Sequence, residues 1–286
     1  MIDIFNNRTE LETIKRIISE SDIETCEKTI PNLMLWTSNF YIENNQLIVS
    51  TDEPKGTVYR LPMGQNIETG INVILKKENN NYPIFYAPEG KQLNEFMMRF
   101  SDLYNFVEDE NSFDYVYLRD NLAYLPGKKY HSKRNHISSF SKKYDWHYEA
   151  LTDDNINKFQ ECAKKWYLAR EDISATLKVE QKGLMLLFDH YKDLGIIGGG
   201  IVVDNNIVAF SLGSQINPDM FDICIEKALS NYADAYAVIN CEFAKRLNYK
   251  YINREDDMGI DGLKKAKLSY HPCMMLKKYY CYPKTK

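Results

Sequence analysis

The stretch YKYINREDDMGIDGLKKAKLSYHP, Tyr249–Pro272, decides how the rest of the chain is read. It opens with the alternation of a strand and closes with the spacing of a helix. Arg254, Glu255, Asp256, Asp257 and Asp261 crowd the joint between the two. Just upstream, MFDICIEKAL reads as a strand with Phe221, Ile223 and Ile225 on one face. DAYAVINCEFAKRLN then reads as a helix whose buried stripe is Tyr236, Ile239, Phe243 and Leu247. Strand, helix, strand is a crossover unit; such units run right-handed and leave their strands parallel, often adjacent. Their carboxyl ends therefore lie side by side. One delivers Glu226 and Lys227, the other Asn253, Arg254, Glu255 and Asp256.

In open α/β sheets ligands bind just beyond such strand ends, where helix N-termini also point. The residues alone allow a second reading, an ion-pair network or a solvated rim.

Outward from this joint, the second half repeats the same economy. DDNINKFQECAKKWYLA and VEQKGLMLLFDHYKDLG have helical apolar spacing, and GGGIVVDNNIVAFSLGSQI is a hairpin turning at Asp204, Asn205 and Asn206. The first half mixes a helix at TELETIKRIISES with strands at SNFYIENNQLIVST, GTVYRLPMG, YPIFYAPEG and DYVYLRD, and a helix at KQLNEFMMRFSDLYN. A basic segment, GKKYHSKRN, supplies Lys128, Lys129, Lys133 and Arg134. These lysines suit a phosphate-bearing partner, or simply a soluble helix face. A domain boundary falls near Leu151, giving units 1–150 and 151–286 with no Gly/Ser-rich linker between them.

Composition sets the class. The chain has 286 residues, 44% hydrophobic and 27% charged, with a net charge of −4, which fits a globular protein and not one that coats nucleic acid along its whole surface. The six cysteines show no CxxC spacing and the five histidines no HExxH, so no metal site is expected. MIDIFNNRTE lacks the basic and apolar regions of a secretory signal, and no apolar run is long enough to cross a bilayer, so a cytoplasmic location is expected.

Several segments carry a family resemblance: YLPGKKYHSKRNHI, GGGIVVDNNIVAFSLG, EKA, IN with EFA, and YINREDDMGIDGLKKAKLSYHP. They resemble the phosphatidylglycerol lysyltransferase C-terminal-domain-like group, within the Gcn5-related acetyltransferase (GNAT) superfamily and near the Fem-type aminoacyltransferases. The resemblance implies an α/β (α+β) fold of tandem GNAT-like domains. Each would be a mixed, mainly antiparallel sheet with a splayed parallel strand pair flanked by helices.

The implied chemistry is acyl transfer. The donor would be an aminoacyl-tRNA or an acyl-CoA and the acceptor an amine or hydroxyl of a small molecule or lipid headgroup, with no firmly bound cofactor. Glu226 or Glu255 would act as base, Arg254 and Asn253 would orient substrate or meet negative charge, and Tyr270 would act as acid. Lys227, Asn240, Asp256, Lys264 and Lys267, with Lys128, Lys129, Lys133 and Arg134, would bind substrate. Two departures stand out: the membrane-embedded part of lipid lysyltransferases is missing, and SNYADAY has no glycine where GNAT enzymes carry a pyrophosphate loop. The second favours aminoacyl-tRNA over acetyl-CoA. The alternative is a non-catalytic GNAT scaffold that binds a small phosphorylated ligand or RNA.

Overall fold

The computed structural model describes residues 8–171, 173–232 and 234–284. The first half runs α1 (Arg8–Glu20), α2 (Ile30–Trp36), β1 (Asn39–Glu43), β2 (Gln46–Glu53), β3 (Gly56–Arg60), α3 (Ile67–Lys77), β4 (Ile84–Pro88), α4 (Lys91–Phe100), β5 (Tyr104–Glu108) and β6 (Asp114–Leu118). It continues with α5 (Arg119–Tyr124), α6 (His131–Lys143), β7 (Trp146–Ala150), α7 (Ile156–Leu168), α8 (Ala175–Asp189), β8 (Ile197–Val203), β9 (Asn206–Asn217) and β10 (Met220–Ala228). The chain ends with α9 (Ala235–Arg246), β11 (Tyr251–Asn253), α10 (Asp261–Leu268), β12 (Met274–Leu276) and β13 (Lys278–Pro283).

Two compact units form, and they do not follow the 1–150 and 151–286 division read from the sequence. Unit one takes residues 1–114, 256–260 and 275–286; unit two takes 115–255 and 261–274. The physical reason is β13. It pairs antiparallel with both β4 and β5, and so completes the sheet of the first unit, in the order β1-β2-β3-β4-β13-β5.

Two of the hairpin turns behave as their asparagines demand. Asn44 and Asn45 between β1 and β2, and Asp204 and Asn205 between β8 and β9, all have φ between 48° and 62°. Such left-handed pairs match the strand twist and fix the register of a two-residue turn. The core of the first unit gathers Ile48, Tyr59, Phe85, Phe96 and Tyr104 around α3 and α4. Phe96 makes edge contacts with Phe85 at 5.2 Å and Tyr104 at 5.2 Å between ring centroids.

A buried charge cluster also belongs to this unit. The Lys278 ammonium lies 2.7 Å from Glu27 and 2.6 Å from Asp114, with side chains at most 6% exposed. Cys26, Glu27 and Asp114 are spaced as metal ligands are, but here the lysine supplies the positive charge. Burial works against ionising Glu27, yet the charges of Lys278 and Arg60 outweigh it and hold the carboxyl at about 2. Burial likewise opposes the Lys278 charge, and Asp114, Cys26 and Glu27 overcome it, so its affinity for the proton rises well above normal.

The second unit is built on the seven-stranded sheet, in the order β12-β6-β11-β10-β9-β8-β7. Phe159 of α7 and Phe188 of α8 pack on Phe210 from one face. From the other face, Phe243 of α9 packs on Phe221. Ile239, Phe243 and Leu247 are buried as the stripe expected of α9 requires, while Tyr236 is 36% exposed and its place is taken by Ala235 and Val238.

Lys278→Met strands two buried carboxylates and should cost about 3–5 kcal/mol, measured by urea unfolding. Glu27 has a depressed folded pKa, so its contribution is full above the ordinary carboxylate range and is lost as pH falls toward about 2. Glu27→Gln should flatten that acid limb of the stability curve.

Candidate active site at the splayed strand ends

β10 and β11 run parallel, but they pair only from Met220–Tyr251 to Asp222–Asn253. β11 stops there, while β10 continues to Ala228. The expected splay is therefore present, and it opens directly after Asp222.

What fills the opening depends on a bulge. Asp222 lies opposite Ser214 and Ile225 opposite Leu212, so β10 spends three steps where β9 spends two. One extra residue reverses the alternation of side chains. Phe221 faces α9 before the bulge; Glu226, not Ile225, faces α9 after it. Phe221 and Ile225 accordingly lie on opposite faces, contrary to the single face read from the sequence. Gly213 makes room for the distortion, since a Cβ there would come within 1.9 Å of the Asp222 carbonyl oxygen.

Glu226 and Arg254 meet in the opening. Arg254 Nη2 donates to Glu226 Oε1 at 2.7 Å, with side chains 12% and 11% exposed. Glu226 Oε2 also accepts from Asn240 Nδ2 at 3.2 Å and Ser211 Oγ at 3.3 Å. Burial disfavours the guanidinium charge, but Glu226, Tyr117 and Tyr270 more than compensate and bind its proton more tightly still. Two buried polar atoms in this group have no hydrogen-bond partner among the described residues: Arg254 Nη1 and Asn240 Oδ1. One is a donor and one an acceptor.

Tyr270 and Lys133 complete the cluster. The Tyr270 ring holds Lys133 Nζ at 3.9 Å on its face and the Arg254 guanidinium carbon at 4.9 Å. Tyr270 is 6% exposed, while Leu263 is 40% exposed, so the tyrosine packs on cations and not on the apolar residues of α10. Burial raises the Tyr270 phenol well above the ordinary tyrosine range, so it stays protonated. Burial and the neighbouring Arg254 charge lower the Lys133 ammonium, with Glu226 pulling the other way.

The other expected residues fall elsewhere. Lys227, one step beyond Glu226, points to the opposite face, where it pairs with Glu180 at 2.5 Å and sits 3.9 Å over the Trp166 ring. Glu255 has a left-handed φ of 55° and interacts electrostatically with Lys227 and Cys224. Asn253 is fully buried and its Oδ1 accepts the Glu255 amide at 2.7 Å, shaping the turn. Asp256 belongs to the first unit and accepts the Met258 amide at 2.9 Å.

Lys267 Nζ donates to the Arg254 carbonyl at 2.5 Å, which ties α10 to the strand end. Lys264, Lys128 and Lys129 are exposed. Arg134 donates to the Leu125 and Gly127 carbonyls and so braces the Leu-Pro-Gly turn. Sequence reading missed Ser211 and Tyr117; Ser211 sits in a strand with nothing to distinguish it from a structural serine. A cavity of about 440 Å³ in the first unit, lined by Thr25, Glu89, Leu93 and Met97 among others, contains none of the expected site residues.

With this geometry in view, the comparison with known proteins is direct. The family model described as phosphatidylglycerol lysyltransferase, C-terminal, matches residues 20–282. The chain belongs to this family. A conserved protein of unknown function from Bacteroides thetaiotaomicron VPI-5482 is 32% identical, with a TM-score of 0.85 over 96% of this chain and 97% of that one.

L-PGS from Bacillus licheniformis shares the fold at 15% identity, with a TM-score of 0.67 over 96% and 92% of the two chains. FemX does so at 7% identity, with a TM-score of 0.56 over 96% of each. The tandem GNAT arrangement expected from the sequence is thus the fold of this phosphatidylglycerol lysyltransferase C-terminal family member. The uncharacterized protein MYCGA3080 of Mycoplasmoides gallisepticum (strain R(low / passage 15 / clone 2)) is 27% identical over 179 residues, 59% of this chain; the match spans only 56% of that relative's length. No helix among the described residues is long and apolar enough to cross a membrane.

Replacing Arg254 by Met or Glu226 by Leu, singly, leaves a partner charged in a buried place and should cost about 3–5 kcal/mol each. The double variant should lose much less than the sum, and a double-mutant cycle by chemical denaturation measures the difference. Lys227→Met should be additive with both, because it pairs across the sheet.

Proposed function

We propose that the cluster at the splayed strand ends transfers an acyl group, most specifically an aminoacyl group from aminoacyl-tRNA, to an amine or hydroxyl acceptor. The observation that carries this reading is the pair of buried, unpartnered polar atoms, Arg254 Nη1 and Asn240 Oδ1, beside the Glu226–Arg254 ion pair. A buried donor and a buried acceptor are costly unless a ligand meets them. An aminoacyl ester offers a carbonyl oxygen to the first and an N–H or O–H to the second.

The roles follow from local chemistry. Glu226 already accepts hydrogen bonds on both oxygens, from Arg254, Asn240 and Ser211, so it serves to hold Arg254 in place. Lys133, whose proton is loosened by burial and by Arg254, takes the base role expected of Glu226 or Glu255. Its neutral amine accepts the proton of the attacking amine or hydroxyl.

The acceptor then bonds to the ester carbonyl carbon, and the negative charge that develops on oxygen is met by Arg254 Nη1. Collapse breaks the bond to the ribose hydroxyl, or to a thiol if the donor is acyl-CoA. That leaving group takes the proton back from Lys133. Tyr270, held protonated, is a hydrogen-bond donor and positions both cations through its ring.

A second reading is favoured by the closure of Glu226 against Arg254: a scaffold that binds an aminoacyl or phosphorylated ligand without turnover. One assay separates them. Purified protein incubated with charged tRNAs, and separately with acyl-CoAs, should consume one donor in an acceptor-dependent way. Arg254→Ala should slow the chemical step by about a hundredfold or more, as loss of an oxyanion donor does. Donor bound but never consumed would leave the scaffold reading standing and remove this one.

The pH profile has a defined sign. The rate should rise with pH as Lys133 loses its proton and level off below the ordinary lysine value of 10.5. Lys133→Arg should abolish that rise while retaining donor binding.

A further inference from the structure

α6 carries a second group of reactive side chains on its exposed side. His136 Nδ1 lies 2.8 Å from Asp234 Oδ1, and His136 Nε2 lies 3.4 Å from Ser132 Oγ. Ser132 and His136 stand about one turn apart on α6, so the helix itself holds them on one face. Asp234 arrives from the start of α9, 98 positions along the chain. A histidine that donates its Nδ1–H to a carboxylate keeps the Nε2 lone pair for the hydroxyl. Hydroxyl, imidazole and carboxylate are thus linked in the order that activates a serine.

Two further observations set this group apart from a plain tie between two helices. Asp234 occupies the N-cap of α9, where an aspartate ordinarily accepts an amide of its own helix, yet it makes no such bond among the described residues. Its carboxylate goes to the imidazole instead. Ser132 is the second residue of the thirteen-residue α6, whose N-cap, Tyr130, supplies no side-chain cap among the described residues. Helical side chains lean toward the N-terminus, so the hydroxyl lies at the positive end of α6, which favours negative charge developing there.

The group is open to solvent. The His136 and Asp234 side chains are 49% and 31% exposed, and Ser132 is exposed. Phe140, one turn beyond His136, packs against the half-buried rings of Tyr144 and Tyr232, whose centroids are 4.9 Å apart. These rings give an apolar surface along the same helix.

We infer that Ser132, His136 and Asp234 are a second catalytic site, one that hydrolyses carboxylic esters of small apolar or aromatic acids. Ser132 Oγ bonds to the ester carbonyl carbon while His136 Nε2 takes the hydroxyl proton. The ester C–O bond then breaks, and the departing alcohol takes that proton from His136, leaving an acyl-serine. Water, deprotonated by the same nitrogen, attacks the acyl carbon; the carboxylic acid leaves and Ser132 regains its proton. Asp234 is a positioning residue that holds the ring and its tautomer. None of the residues at the splayed strand ends takes part, so the site stands apart from the transfer reaction.

The test uses the full chain with p-nitrophenyl butyrate, and separately with a fluorophosphonate followed by peptide mass spectrometry. Neither tRNA nor CoA is present, so either reading can fail while the other stands. The ester should be hydrolysed with saturation, and the fluorophosphonate should attach to Ser132. Ser132→Ala should abolish labelling and lower kcat by about a hundredfold or more, and His136→Gln should lower kcat about as much. Asp234→Asn should lower kcat by about a hundredfold at unchanged KM, with part of the rate restored in Asp234→Glu; a merely structural tie would leave kcat alone. Because His136 and Asp234 also join α6 to α9, thermal unfolding of their variants is followed alongside. Ser132→Ala leaves that join in place and decides the question by itself. Absence of hydrolysis and labelling overturns the inference, as does labelling at another residue or hydrolysis that survives Ser132→Ala.

Discussion

The ion pair between Glu226 and Arg254 exists because β10 carries one residue more than β9 between Asp222 and Ile225. Were the same residues paired one to one with β9, the alternation would continue unbroken, Ile225 would face α9, and Glu226 would take the place of Lys227 against Trp166. The bulge therefore chooses which charge reaches the opening. The pairing with β11 ends at the same place, so the gap and the charge that furnishes it lie together. Gly213 is the condition for the bulge, since no side chain fits beside the displaced Asp222 carbonyl.

The pair has consequences in two directions. Toward the sheet, Asn240 and Ser211 fasten the carboxylate, so the guanidinium has a fixed seat on α9 and β9. Toward the opening, the guanidinium raises the cost of a second positive charge at Lys133, which shares the Tyr270 ring with it. A buried ion pair contributes little net stability compared with apolar packing of the same volume. Its presence is better explained by what it holds ready than by what it stabilises.

Much of this was legible in the amino-acid sequence, and the failures are specific. The Asn44–Asn45 and Asp204–Asn205 turns and the crossover through α9 follow from alternation and turn chemistry, and the crossover alone brings together the strand ends that carry Glu226 and Arg254. α3 is hard to read from sequence although Asn66 caps it and Ile67, Ile71 and Ile74 recur at helical spacing, because Gly70 and the flanking strands mask the period. β5 merges with the preceding helix in sequence because Leu103 and Tyr104 continue its apolar pattern. Adjacency in sequence sets Lys227 beside Glu226, whereas a strand sends neighbouring side chains to opposite faces. Arg134 has the chemistry of a phosphate ligand, but the carbonyls of the turn before it claim its guanidinium. No periodicity announces a bulge, so the face of Glu226 was beyond any reading of alternation.

The placement of β13 bears on how the chain acquires its structure during synthesis. Lys278 meets Cys26 across 252 positions of chain, and the strand it begins lies between β4 and β5. On a ribosome adding about 5–20 residues per second, β5 waits many seconds for the neighbour that shields its edge, while β7 to β11 have already emerged in order. The first half of the polypeptide to be made is thus the last whose sheet can close. Until then Glu27 and Asp114 have no lysine between them, and β4 and β5 are exposed to whatever else in the cell can add a strand.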